Sequence, residues 1–539
     1  MRRADFAFDL AVGVSLLAAP LVVFLRFHGY PLLRPEVALL GALCLGAAGL
    51  AALACRALPA LRVPTFAAGV CWLVDLQASA SVLELAALFA GLLLAARPLG
   101  RAARPLARAG APAFALASLL LPVGHPATGP ARFDDTAPAR SPLPPLLVVV
   151  LDEHIGIEGL PARFDPGGGL SQRLRDVYLR HGFRVFRRAY SRHALTVTSF
   201  SALANRAQAQ HWRPSGDGAE GFRLTRNALF EGLEARGYDL RVLQTDYLDL
   251  CSPAKAAPRQ CSTTVLEDPT VLADSGIASP DVARVIVGML LRRSALAGAA
   301  TRWSGLRLRR ARVSALSAMR AFDRLESEAA ALGPGRALFA HLMLPHFPYV
   351  YDADCTLRPD PATWTNGEAM AARPADEALA RHARRLYYRA YLRQLRCTAR
   401  RVEGVLDAAA PEAHIVVLSD HGSRQALHRP WPRNAARLTP QDFADSFSSL
   451  FAMRRPPEAA GEERRLLPIY ALLERAVSGA RIPDAANWQQ PPRVVLRRGL
   501  RDPRALEVRL PAFGRNPSLT AGAEAERVPP EAAAQERAR

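Results

Sequence analysis

The sequence predicts two unlike parts in series. An N-terminal α-helical transmembrane bundle of about five spans comes first, then an α/β domain with a mostly parallel sheet covered by helices on both faces. Three observations carry this expectation. Long uncharged apolar runs are confined to residues 1–124. After Pro145, short β-branched and leucine runs alternate with amphipathic helical patterns, as in strands joined by crossover helices. Two of those runs end directly in acidic residues, and parallel sheets bind ligands at the carboxyl ends of their strands. The bulk numbers agree. A chain of 539 residues buries an ample core without a staple, and a hydrophobic share of 50% with 22% charged excludes a mostly disordered chain.

The anchor spans residues 1–124. Residues 10–25 and 37–55 carry no charge and approach the roughly 20 apolar residues that cross a bilayer. Residues 64–96 are apolar apart from Asp75 and Glu84 and suit two short helices turning near Ser79–Ser81. A last run, Ala109–Gly124, makes the fifth span. Arg2 and Arg3, then Arg56 and Arg62, then Arg97, Arg101, Arg104 and Arg108 all fall on one side if there are five spans, and that side is cytoplasmic. Four spans, with 64–96 as one long helix, is the alternative. An odd count places everything after residue 125 outside the inner membrane. Asp75 and Glu84 are read as residues of an interfacial turn rather than as an intramembrane site.

Residues 125–145 are proline-rich and form a stiff linker. Cysteine usage fits export. Cys44, Cys55 and Cys71 sit in the apolar runs, whereas Cys251, Cys261, Cys355 and Cys397 form an even set in the exported part. The simplest bridges are Cys251–Cys261 and Cys355–Cys397, one of three possible pairings. A zinc cluster is the rival, but no CxxC pair exists. The net charge of +20 is almost all arginine, with Lys255 the single lysine, and it is spread along the chain. Spread charge is a solvated surface rather than a nucleic-acid footprint, so no nucleic-acid partner is expected.

In the exported domain, 146–510, Leu146–Leu151 is a buried strand. Helix 170–181, strand 183–190, helix 198–206, helix 227–236 and strand 239–244 follow. A long helical stretch over 282–332 precedes strand 338–344, then helix 381–409 and buried strand His414–Ser419. Phe451–Met453 belongs to a short edge strand, and 511–539 reads as a disordered tail.

Chemistry gathers at the strand ends. Leu146–Leu151 runs into Asp152–Glu153, and His414–Ser419 runs into Asp420–His421–Gly422. Buried strands ending in carboxylate and imidazole donors call for a compensating charge, and one divalent cation (Zn²⁺, Mn²⁺ or Ca²⁺) supplies it. Helix N-capping by the aspartates is the plainer alternative. Strand 183–190 leads into Ser191-Arg-His-Ala-Leu-Thr196-Val-Thr198-Ser199, where a hydroxyl at a helix start is a candidate nucleophile. N-capping competes here too. Strand 338–344 ends at His346, placed to bind an anionic ester oxygen or protonate a leaving group.

These pieces, in this order, resemble the sulfatase branch of the alkaline-phosphatase superfamily. The likeness is closer to its membrane-anchored lipoteichoic-acid synthases and phosphoethanolamine transferases, and it covers roughly residues 146–455. The sulfatase nucleophile loop is Cys-x-x-Ser-Arg-x-x-Leu, with threonine for cysteine in the transferases. Thr196-Val-Thr-Ser199-Phe-Ser-Ala-Leu203 fits that spacing, so the resemblance makes Thr196 the nucleophile, with Thr198 next. The missing cysteine speaks against formylglycine. Ser419-Asp420-His421-Gly422 matches the family's Ser-Asp-His-Gly, and His346-Phe-Pro-Tyr349 its His-x-Pro-Tyr. The transferases usually continue Asp-His-Gly with Glu, whereas here Ser423-Arg424 follows.

The resemblance implies metal ligands Asp152, Glu153, Thr196, Asp420 and His421, with His346, Arg424 and His428 on the substrate. It implies a metal-dependent transferase moving a phospho-head group, of phosphoethanolamine or phosphoglycerol type, from a membrane lipid donor to an envelope glycan or lipid. The transfer would pass through a phospho-threonine, in a monomer. Phosphate or sulfate ester hydrolysis in the same fold is the alternative, as is a non-catalytic membrane protein retaining it.

Overall fold

The computed structural model describes residues 3–78, 81–99, 117, 133–134, 141–215, 221–252, 260–304, 312–365, 377–482, 491–500, 502 and 504–513. Its apolar N-terminus folds as helices α1 (Arg3–Phe27), α2 (Pro35–Ala57), α3 (Arg62–Ala78) and α4 (Val82–Leu99). Among the described residues two helical stretches, Phe6–Phe27 and Pro35–Ala57, are long and apolar enough to cross a membrane. This corrects the expectation of about five spans, and the reason is length. The 17 residues of α3 rise about 26 Å, short of a hydrocarbon core about 30 Å thick. The apolar stretch of α4, Val82–Ala95, is shorter than a span. The fifth expected span, Ala109–Gly124, lies outside the described residues except for Ala117.

By packing, the chain divides into two units, each drawn from separated stretches. One comprises Met1–Pro145, Arg213–Thr225 and Gly237–Pro411; the other comprises Leu146–Trp212, Arg226–Arg236 and Glu412–Arg539.

In the first unit the apolar helices pack against the later part of the same unit. Asp75, fully buried near the end of α3, accepts hydrogen bonds from Ser294 Oγ and from the backbone N–H groups of Ala295 and Leu296. It thereby caps helix Ala295–Ser304 from a distant part of the chain, so it does more than sit at a turn. Glu84 does serve a local turn, exchanging hydrogen bonds with Ser81. Glu36, buried at the start of α2, accepts from Tyr30 Oη, Arg34 Nε and Ser279 Oγ. Ser279 opens helix Ser279–Leu291. One carboxylate from α2 and one from α3 thus each reach a later helix of the unit. The helical stretch expected over 282–332 is three helices, the third being Ser314–Ala330. Strand Asp239–Thr245 runs parallel to both Arg336–Leu342 and Gln260–Thr264. The expected strand 338–344 stops at Leu342, shortly before Pro345, which has no N–H to give a ladder. Disulfides join Cys251 to Cys261 and Cys355 to Cys397.

The second unit is a mixed sheet. In order its strands are Gly461–Pro468, Arg184–Tyr190, Phe451–Arg454, His414–Ser419 and Leu146–Leu151. Phe451–Arg454 is not an edge strand. It lies between Arg184–Tyr190 and His414–Ser419 and runs antiparallel to both, which also makes the sheet less parallel than expected. Its short run could not disclose two partners. The last pairing in that order is the one that builds the site: Leu146–Leu151 lies parallel to His414–Ser419, with Leu151 opposite Ser419. Near the C-terminus the hairpin Arg493–Arg497/Ala505–Arg509, unforeseen in the sequence, packs Val494 and Leu496 with Phe443, Phe447 and Tyr190. Phe513 is buried in the same cluster, three residues past the expected domain end at 510, and residues 514–539 lie outside the described residues.

Candidate metal centre

Register alone brings two acids together. With Leu151 opposite Ser419 on parallel strands, the next residue of each strand is an aspartate. Asp152 and Asp420 are both fully buried at these strand ends. Asp420 Oδ1 accepts from its neighbour's backbone, His421 N at 2.8 Å, and from Glu153 N at 3.2 Å. Its carboxylate is therefore locked in orientation by the two turns it joins.

His421 completes the group. Its Nδ1 lies 2.9 Å from the Gly422 carbonyl, which can only accept, so Nδ1 carries the proton. The lone pair of Nε2 then faces Asp420 Oδ2 at 3.3 Å and Asp152 Oδ1 at 3.9 Å. Gly422 is required for this turn. A Cβ there would stand 2.5 Å from the Asp445 carbonyl oxygen, a collision with backbone that nothing flexible can relieve.

Thr196 is the first residue of helix Thr196–Ala204. Its hydroxyl donates to Asp152 Oδ2 at 3.3 Å and lies 3.2 Å from His421 Nε2. Thr198 is spent elsewhere, donating to the Leu195 carbonyl at 3.0 Å. Sequence reasoning missed Ser199, one helical turn on from Thr196. Its hydroxyl donates to the Asp420 carbonyl and meets Ser191 Oγ at 2.9 Å, tying the helix start to the strand end. The signal was present, because i and i+3 share a helix face.

Asp152, Asp420 and His421 each offer one ligand atom, and these atoms lie within 4.8 Å of one another. A deprotonated imidazole nitrogen, two buried carboxylates and an adjacent hydroxyl fit a divalent cation that accepts mixed N and O donors. Glu153 stands beside this trio. Burial raises its carboxyl well above the usual carboxylate range; Arg424 opposes the rise, while Asp152 and Asp420 add to it. Its Oε1 is 3.1 Å from Arg424. Glu153 and Arg424 both hold left-handed backbones, φ 63° and 57°, the kind of strain that gathers at functional sites.

The other expected substrate residues are placed as follows. Arg424 is the ion-pair partner of Glu153. His428 Nδ1 is 3.0 Å from Asp442 Oδ2, an orienting partner the sequence did not reveal, and its Nε2 faces Arg437 at 3.3 Å. His346 belongs to the first unit, where its ring stacks on Phe347 and its carbonyl accepts from the buried Gln394.

No family model matches the sequence, and no curated protein matches it. Some solved structures match the chain loosely. A phosphonate monoester hydrolase from Silicibacter pomeroyi is 15% identical with a TM-score of 0.40, over 66% of this chain and 79% of that one. The C-terminal periplasmic domain of EcEptC from Escherichia coli is 10% identical with a TM-score of 0.36, over 68% and 93%. A structure of that domain in complex with Zn is 12% identical with a TM-score of 0.33, over 62% and 81%. Superpositions this loose transfer no residue role to this chain.

Proposed function

We propose that the protein is a membrane-anchored, metal-dependent enzyme that moves a phospho-head group from a lipid donor to a glycan or lipid of the cell envelope, with Thr196 as nucleophile. The observation that carries this reading is the Thr196 hydroxyl, buried among Asp152 and His421 at the start of a helix. A hydroxyl held there for N-capping alone would not need two ionisable partners.

Asp152, Asp420 and His421 would hold the cation, which when bound acidifies the adjacent hydroxyl and neutralises ester oxygens. Thr196 Oγ1 gives up its proton and forms a bond to phosphorus. The ester bond on the opposite side breaks, and the diacylglycerol oxygen leaves with a proton. An acceptor hydroxyl then attacks the phospho-threonine, loses its own proton, and returns Thr196 to its free form. Backbone N–H groups of the first turn of helix Thr196–Ala204 face developing negative charge. Asp420, pinned by two backbone donors, and Ser199, pinned to the Asp420 carbonyl, keep the helix start registered against the strand end. Two disulfides and two apolar helices of spanning length support placement at the membrane, with this domain on the oxidising, periplasmic or extracellular side.

The test is Thr196→Ala in the full chain, with phosphatidylethanolamine or phosphatidylglycerol as donor. Turnover should fall at least about 10³-fold, consistent with removal of a covalent nucleophile, while bound metal stays near the wild-type level. Retained turnover sinks the assignment. Mass spectrometry separates a modified acceptor from free head group, and hence transfer from hydrolysis.

A further inference from the structure

Immediately after Gly422 the loop turns strongly basic. Residues 424–437 contain Arg424, Arg429, Arg433 and Arg437, with His428, and no acidic residue. The structure gathers these arginines rather than spreading them. The guanidinium of Arg433 lies 4.5 Å from the centre of the Trp431 ring, that of Arg429 4.8 Å and that of Arg498 5.8 Å. Three cations thus share one aromatic ring.

The arrangement is built by the backbone and is not an accident of long side chains. Arg497 N donates to the Pro430 carbonyl at 2.9 Å, bringing the C-terminal hairpin, and with it Arg498, against the loop. Asn434 Nδ2 donates to the Arg429 carbonyl at 2.9 Å, and the short helix Pro432–Arg437 fixes the positions of Arg433 and Arg437. The cluster has an electrostatic cost. The Arg429 guanidinium is held below its usual range by burial, then by Arg424 and by Arg433. Like charges kept this close attract anions. The loop also begins at the metal centre, because Arg424 pairs with Glu153.

We propose that Arg429, Arg433 and Arg498, gathered on Trp431, form a second anion subsite. It would bind a phosphate, sulfate or carboxylate substituent of the substrate at a distance from the reacting ester. This rests on the reading of Asp152, Asp420, His421 and Thr196 as the reaction centre. The substrate is then at least doubly anionic: one anionic group is processed and another is gripped. The same chemistry is offered by a substituted glycan and by a phospholipid head group.

The test is calorimetric binding to the full chain in detergent, carrying Thr196→Ala and stripped of metal with EDTA, so that neither turnover nor the cation contributes. The probes are a heparin-derived hexasaccharide, for the glycan source, and dihexanoylphosphatidylglycerol below its micelle concentration, for the lipid source. Maltohexaose and dihexanoylphosphatidylcholine are the uncharged and zwitterionic controls. At least one anionic probe should bind more tightly than its control and weaken as salt rises. Arg433→Ala with Arg498→Ala should weaken that probe about tenfold, and Arg433→Lys with Arg498→Lys, which keeps the charge but not the planar fork, should restore only part of it. The probe that responds identifies the source. If neither anionic probe exceeds its control, or the double alanine variant binds as the parent does, the subsite is overturned. A Thr196→Ala enzyme that still turns over, with anion binding intact, would instead remove the reaction-centre reading and leave the arginine cluster as a binding site.

Discussion

Gly422 shows how one missing side chain permits a site. His421 must fold its Nδ1–H onto the Gly422 carbonyl while the backbone of residue 422 passes against Asp445 and Ser446. Gly422→Ala should destabilise the protein by about 2–3 kcal/mol and displace His421. The readouts are thermal unfolding and metal content, and a variant that keeps both would deny the glycine this role. Much of this residue-scale chemistry was legible beforehand. Asp152, Asp420 and His421 stand out at strand ends and Thr196 comes from the family resemblance, and the structure places the four together. Asp442 was not legible as the partner of His428, because nothing local links the two, whereas the i, i+3 spacing of Ser199 from Thr196 was a signal left unused.

Among the elements, the helices of the N-terminus are where sequence reading went furthest astray. Apolar composition predicted spans, but it did not show that α3 would stop short and use Asp75 to cap another helix. Asp75→Ala removes the acceptor for Ser294 and for two backbone N–H groups, leaving buried donors unmet. It should cost about 1–3 kcal/mol in detergent melts, with Asp75→Asn milder because an acceptor oxygen remains. Equal stability of all three proteins would show that the cap carries no weight. The strands were read better than their neighbours. Leu146–Leu151 and His414–Ser419 were delimited to the residue, since continuous β-branched runs are unmistakable. The Arg493–Arg497 hairpin was hidden by its arginines, which mask the buried Val494 and Leu496 between them.

At the scale of the whole molecule, the candidate metal centre would couple cation, proton and stability. Glu153 has a folded-state carboxyl raised above its unfolded value. Without metal, folding therefore favours the protonated form. That contribution is fully present below the usual carboxylate pKa of about 4.3 and is lost as pH rises through the raised folded value. Metal-stripped protein should lose thermal stability as pH rises above the ordinary carboxylate range, and Glu153→Gln should flatten the slope. Adding Zn²⁺ or Mn²⁺ should recover stability that grows with the logarithm of its concentration relative to the dissociation constant. Melts across pH with and without chelator decide it, and a slope indifferent to Glu153→Gln would remove this residue from the linkage.

The pairing of Leu146–Leu151 with His414–Ser419 also sets an order in time. On the ribosome the strand that carries Asp152 emerges long before the strand that carries Asp420 and His421. Until synthesis reaches that second strand, the first has no parallel neighbour on that side and half a coordination sphere. During biosynthesis the growing chain must therefore keep a fully apolar strand from pairing wrongly while the intervening stretch is made and bridged. A cation held by Asp152, Asp420 and His421 would load late, only after about four-fifths of the 539-residue chain has been made.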